Sequence, residues 1–453
     1  MKTRIYTLEF KLFFRNKSTW MGILVLLITG FASLYFGHTF IERQKNVIAK
    51  AASLQQENTK NNIHHFGDEL GLLMFHNKFS VANIPNQWAS FANGQRDVNP
   101  YLISVTILGL EGQIYDTDIN NPVSLLMGNM DLSFVFIFLF PLIIIAFGYN
   151  IFSAERENGT WPLLRAQTDK PFILIWRKLL VRMITIFAVA LILLASAILF
   201  LQLPLNLNLL SIAAILFLYL LFWFALVMLV VSFFKSSNFN ASALVACWVL
   251  FCVVIPGALN LALSHFYPIP EALQNVVNQR EGYHEKWDME KDRSLKPFYN
   301  HYPQYKKYPF PEEKSFSWYW YFAMQQQGDD EAAGSKKSVS DKLDARASFT
   351  KIASYFVPSI QTQLFINNIA GSDLNQHLQF QQEVRRYHEE LRLHFYPSIF
   401  QELDVTQSGI EKFGLKKYDQ NTQSAQNASL FSMLLLTTCL ALLATQNLKK
   451  LRV

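Results

Sequence analysis

Leu209–Phe234 reads LLSIAAILFLYLLFWFALVMLVVSFF, 26 residues without one Asp, Glu, Lys, Arg or His. A helix of about 20 apolar residues covers the roughly 30 Å hydrocarbon layer of a bilayer, so this run is long enough to cross it. Five further uncharged runs of comparable length stand at Thr19–Gly37, Leu132–Phe152, Met183–Leu203, Ala241–Leu263 and Ala428–Gln446. Apolar residues make up 51% of the 453-residue chain and are gathered into blocks rather than scattered, which excludes an ordinary soluble protein.

The first run follows a basic, amphipathic stretch, residues 1–18, with Lys2, Arg4, Lys11, Arg15 and Lys17. No small-x-small pattern closes the run, so the stretch is read as an interfacial helix leading into a retained span rather than as a signal peptide. Orientation follows from the positive charges of the short loops. With the N-terminus inside, the cytoplasmic pieces are 1–18, 153–182, 235–240 and 447–453, and they hold fifteen Lys/Arg against four acids. The remainder holds 25 against 30. The pI of about 9.0 therefore reports topology and gives no reason for a nucleic-acid partner. The expected order is span one 19–37, an extracytoplasmic insertion 38–131, span two 132–152, a loop 153–182, span three 183–203, span four 209–234, span five 241–263, a second insertion 264–427, span six 428–446 and a tail 447–453. The fold class is thus an all-α polytopic membrane protein of six transmembrane helices with both termini cytoplasmic. To it is added a mixed α/β or mainly helical extracytoplasmic domain built from two insertions. Cys247, Cys252 and Cys439 all fall in spans, so that domain rests on packing, without a disulfide framework.

In the first insertion a helix is expected to continue through Ile41–Gln56, with a polar break at Glu57–Asn62 and mixed structure up to a turn at Asn120-Asn121-Pro122. The second opens with turn-rich Tyr267–Pro270 and Tyr299–Pro311, then a polar tract, Gln325–Ser340, expected to be mobile. Apolar spacing of three and four predicts helices over Ser340–Ile369 and Asp373–Phe395, broken at Gly371 and Ser372. The aromatic run Phe316–Phe322 is read as core packing, or else as a carbohydrate or headgroup platform. Ten histidines lie outside the spans or at their edges, and those at 284, 388 and 394 lack the i, i+4 pairing of a zinc-binding helix. No metal site, and no convergent acid, base and nucleophile, is assigned.

The loop after span two runs Ser153-Ala154-Glu155-Arg156-Glu157-Asn158-Gly159-Thr160-Trp161-Pro162-Leu163-Leu164-Arg165-Ala166-Gln167. Thr160 can cap a short helix with Pro162 in its first turn, running to about Gln167, and Asp169 and Pro171 can start the helix that feeds span three. Glu-x-Glu-x-Gly-Thr followed by Leu-Leu resembles the cytoplasmic loop of ABC-2-type exporter permeases. Phe91-Ala92-Asn93-Gly94 with Asp97 and Pro100, Gly128–Val135, Phe140-Pro141-Leu142, and Ala370-Gly371-Ser372-Asp373 with His377 resemble a subgroup with large extracytoplasmic insertions. The resemblance implies that the loop is a coupling helix docked on a separate ATPase subunit, with Glu155, Glu157, Gly159, Thr160, Leu163, Leu164 and Arg165 at the contact. It also implies two ATPase copies carrying ATP and Mg, a second permease subunit, identical or paralogous, and a bacterial inner membrane. The alternative for Glu155 and Glu157 is that they merely solvate a basic loop.

The chain carries no Gly-x-x-x-x-Gly-Lys-Ser/Thr loop, so it cannot cradle nucleotide phosphates by that motif. It is read as a non-enzymatic permease with no cofactor of its own, powering export or mechanical work on an extracytoplasmic protein partner. Uncharged spans and the lack of internal repeats weigh against a secondary transporter. The rival reading is a membrane-anchored receptor or assembly factor.

Overall fold

The computed structural model describes residues 2–115, 130–166, 172–270, 287, 290–308, 316–420 and 427–449. Among the described residues six helices are long and apolar enough to cross a membrane: Lys17–Phe66, Leu132–Glu157, Ile173–Phe200, Leu207–Val231, Ser237–Phe266 and Asn427–Lys449. The fourth is the post of the bundle, because 72% of its most apolar window is buried against 11% for the fifth and 22% for the sixth. Tyr219, Trp223 and Phe224 on this post are enclosed by spans two, three, five and six. The first span packs on the third, and Gly30 allows it: a Cβ there would lie 2.5 Å from Leu193 Cδ2.

Spans two and five each contain one π-helical turn, Val135–Leu139 and Leu250–Val254, close before a proline, Pro141 and Pro256. Proline lacks an N–H, so a carbonyl one turn back loses its partner, and inside a bilayer that loss must be made good by protein. Here it is. Tyr219 OH donates to Ile137 O at 2.7 Å, Trp248 Nε1 to Phe138 O at 3.1 Å, and Ser359 Oγ to Phe251 O at 2.5 Å.

Ser359 belongs to a helix, Pro358–Ala370, that enters the bundle from the second insertion. Its Phe365, Ile366, Ile369 and Ala370 join the bundle's core, and Gln361 Nε2 donates to Ser429 O of span six at 3.0 Å. The long Trp318–Ser354 helix leads in, a turn at Tyr355–Val357 reverses the chain, and Leu374–Phe400 leads out. The expected helix Ser340–Ile369 is thus two helices. Val357 is extended, as the residue before a proline prefers, and Pro358 starts the new helix.

The described parts of the two insertions otherwise form one extramembrane domain at the end of the bundle opposite the 153–166 loop. A small sheet unites the two insertions, with strand order β2-β1-β3 for β1 Phe79–Asn83, β2 Leu102–Val105 and β3 Lys416–Tyr418. β1 pairs antiparallel with β2 (Phe79 opposite Val105) and parallel with β3 (Val81 opposite Lys416). Beneath lies an aromatic core in which Phe298 meets Tyr302, Tyr305, Tyr319, Tyr396 and Phe400. Tyr319 and Phe322 are buried there, and Trp320 and Tyr321 in a small cluster with Met324, so the run from Tyr319 to Phe322 is packing, while Phe316 is exposed.

Two polar stretches read as a break and a mobile tract are helical. The first-span helix runs unbroken through Glu57–Asn62 to Phe66, about 75 Å at 1.5 Å per residue. Its polar face is a docking face: Gln55 accepts from Ser80 N at 2.8 Å, and Thr59 donates to Asn77 Oδ1 at 3.1 Å. Gln325–Ser340 lies inside the Trp318–Ser354 helix. Its polar groups bind the 107–111 segment: Gln325 accepts from Gly109 N at 2.9 Å, and Asp329 accepts from Leu110 N at 2.8 Å and from Arg392 Nη2 at 2.7 Å. The Asn120–Pro122 turn, Gln167, Asp169, Pro171 and His284 lie outside the described residues.

Candidate functional site: the loop after span two

Span two ends in a helical turn, Ser153–Glu157, and a short helix, Trp161–Ala166, follows. Between them the backbone reverses at Asn158-Gly159, with Gly159 at φ +72°. A Cβ at Gly159 would meet nothing within 4 Å, so the left-handed backbone alone demands glycine there.

Both acidic side chains bond back to the protein, Glu155 half-buried and Glu157 at the surface. Glu155 accepts from Lys178 Nζ of span three through one oxygen and from Thr160 Oγ1 through the other. Thr160 also donates its N–H to Glu155 O at 3.0 Å. Its hydroxyl therefore closes the loop backwards onto Glu155 instead of capping the helix ahead, although Leu164 N does reach Thr160 O at 3.1 Å. Glu157 grips the start of span five, with Oε1 accepting from Ser237 N and Oε2 from Ser237 Oγ, each at 2.7 Å. Arg156 Nη1 donates to Phe234 O at 2.6 Å, just past span four. Ser153 and Ser237 share a hydroxyl contact of 2.7 Å, and Phe152 stacks edge-on against Trp161 and Phe234. One turn of chain thus ties the ends of spans two, three, four and five.

Beside the exposed Arg156 and Glu157, what faces outward is a small apolar and backbone surface. Leu163 is 67% exposed, and Asn158, Gly159, Pro162 and Ala166 are also exposed, while Leu164 is half-buried. Arg165 lies in the short helix, and its side chain falls outside the described residues.

A model of the ABC-2 family transporter proteins matches residues 3–308, two thirds of the chain and the whole of this loop. The chain belongs to the ABC-2 transporter family. A second model, a domain of unknown function (DUF3526), matches residues 273–414 of the permease, most of its second insertion. No curated protein and no solved structure matches the permease.

Sequence reading of the permease missed Lys178 and Ser237 as partners of the acidic pair, and the bonds of Ser153 to Ser237 and of Arg156 to Phe234 O beside it. Lys178 stood in view within the basic cluster Arg177, Lys178 and Arg182, whereas Ser237 lies 80 positions from Glu157 and carried only a helix-start signal. The basic cluster has its own work. Arg182 Nε donates to Phe147 O at 2.6 Å, and its guanidinium lies 5.3 Å from the Phe13 ring of the N-terminal helix Lys2–Arg15. Among the described residues no group of three His, Cys, Asp or Glu side chains could hold a metal ion. His388 and His394 face the carbonyls of Leu108 and Ser408, each at 2.9 Å.

Proposed function

We propose that this permease couples ATP hydrolysis on a separate ATPase subunit, bound in two copies across a pair of permeases, to export or to mechanical work by the extramembrane domain. The loop 153–166 would be the cytoplasmic contact, in the inner membrane of a bacterium, with both termini on the same side. The observation that carries this reading is the division of labour in the loop. Glu155 and Glu157 fasten it to spans three and five, while Asn158, Gly159 and Leu163 stand free for a partner. Glu155, Glu157 and Thr160 are then positioning residues, and Leu163 with the Gly159 turn makes the contact.

The reading is tested by tagging the permease in its own cell, capturing it in mild detergent and assaying the eluate for an ATPase subunit and its ATP hydrolysis. Leu163→Arg is expected to lose both while leaving the unfolding midpoint of the permease unchanged, since 67% of the Leu163 surface is already in solvent. Equal ATPase recovery with Leu163→Arg and with a reversed Glu155/Glu157 pair would count decisively against it.

A further inference from the structure

Spans three and four are joined at their outer ends by residues 201–206 alone, yet a cleft of about 330 Å³ opens between them. Its back wall is Phe136 of span two with Leu216 and Leu220 of span four, all buried. Its lips are Leu191 of span three, 65% exposed, and Phe217 of span four, 50% exposed, so it opens sideways from the bundle. Ala190 and Ala213 line it from opposite spans, and because both side chains stop at Cβ they leave the room.

The depth of the cleft fixes its surroundings. Phe136 stands four residues inside the outer end of span two at Leu132, and Ala213 six inside that of span four at Leu207. At 1.5 Å per residue these are depths of about 6 and 9 Å, in the half of the hydrocarbon layer on the side of the extramembrane domain. Every side chain that lines the cleft is phenylalanine, leucine or alanine, so it offers no hydrogen bond to water, a sugar or a lipid headgroup.

Width and volume then choose among apolar occupants. Phe187 and Phe217 stack from one span to the other with ring centroids 4.6 Å apart, a gap far narrower than the roughly 10 Å breadth of a further helix. A benzene ring, the size of a phenylalanine side chain, fits an apolar cavity of about 150 Å³, so one side chain from a neighbouring protein would leave about half of this cleft open. A slender, flexible hydrocarbon chain suits both limits, and it is the solvent at that depth. We infer that one acyl chain of a phospholipid from the outer leaflet lies between spans three and four and is held there as part of the packing of the permease. Lipid tails are as apolar as leucine, so the seat is selected by contact rather than by escape from water: a chain inside touches three spans at once. No Lys or Arg lines the cleft, so the charge of the headgroup plays no part.

The test needs only the purified full chain. It is reconstituted with phosphatidylcholine bearing a photoactivatable diazirine midway along its palmitoyl chain, illuminated, digested and read by mass spectrometry. Peptides carrying residues 187–194 and 213–220 are expected to take several-fold more label per residue than the exposed face of span six around Leu434 and Leu442. The same pattern is expected with phosphatidylglycerol. Ala213→Phe fills the cleft and should cut its labelling several-fold while span six is labelled as before. If that variant does not fold, Leu191→Trp, on the exposed lip, narrows the mouth and carries the comparison. Equal labelling of the cleft and span six overturns the seat, and so does cleft labelling that survives the filling variant. A permease pair that separates into single chains on Ala213→Phe would give the cleft to a second copy and overturn it as well.

Discussion

Replacing Glu155 by Gln keeps the shape of the side chain and removes its charge, which isolates the bond to Lys178. The two side chains are 25% and 15% exposed, placing the pair between two measured regimes. Exposed ion pairs are worth about 0–1 kcal/mol, and stranding one member of a buried pair costs about 3–5 kcal/mol. An intermediate loss of about 2 kcal/mol is expected, part of it from the weakened hydrogen bond of Thr160 to a charged acceptor. If the ATPase binds only the ordered loop, that loss lowers the competent fraction, and with it the affinity, by up to about 30-fold. The assay is a titration of purified permease with its ATPase subunit, together with stimulated ATP hydrolysis, for Glu155→Gln, Lys178→Met and the double variant. The double variant should bind no more weakly than either single one, giving a coupling energy of about 2 kcal/mol. Strictly additive losses, or full affinity in Glu155→Gln, would refute the proposed clamp.

Two further outcomes concern the extramembrane domain. Asp329→Ala leaves Arg392, 2% exposed, without its 2.7 Å carboxylate, and leaves the N–H groups of Leu110 and Glu111 unpaired. The domain should lose about 3–5 kcal/mol, seen as rapid tryptic cleavage within 318–400, and wild-type protease resistance would be inconsistent with a structural pair. Acid should also weaken it. Burial first, and then the charge of Arg392, hold the His388 pKa well below the usual imidazole range, and His377 lies at about 4. The unfolded chain therefore binds protons that the folded one refuses. Stability is complete above about pH 6.5 and falls by about 1.4 kcal/mol per unit for each histidine as pH drops, the share of His377 ending near its folded value. Glu111 does not interfere in that window. Burial raises its pKa, but Arg385 and Lys336 lower it further, so its contribution holds down to about pH 4.5 and is lost only below. Unfolding midpoints from about pH 7.5 to about 4.5 should slope less steeply in His388→Gln, and an unchanged slope would remove His388 from the account.

The six spans were legible because a charge is so costly in hydrocarbon that evolution leaves an unmistakable blank of about 20 residues. The helix Pro358–Ala370 left no such blank. It carries Ser359, Gln361, Thr362, Gln363, Asn367 and Asn368, and is tolerated among the spans because proline-freed carbonyls and span-six groups receive those side chains. Only Pro358 hinted that the predicted helix was two. The polar Gln325–Ser340 tract misled for a related reason, since polarity signals solvent only until its partners are known, and here they lie more than 200 positions upstream at Gly109 and Leu110. The loop was legible in part. Glu-x-Glu and Gly159 marked it, but that the carboxylates bind other spans could be seen only once Lys178 and Ser237 were brought beside them.

The helix Pro358–Ala370 makes the extramembrane domain impossible to treat as a detachable accessory. Cutting residues 264–427 away would not leave a shorter transporter of six intact spans. It would withdraw Phe365, Ile366 and Ile369 from between them, open a void beside span four, and leave the Phe251 carbonyl without its Ser359 partner. A bundle without such an insertion would have to close the same gap with different residues in spans two, four, five and six, so loss of the domain and repacking of the bundle would have to occur together.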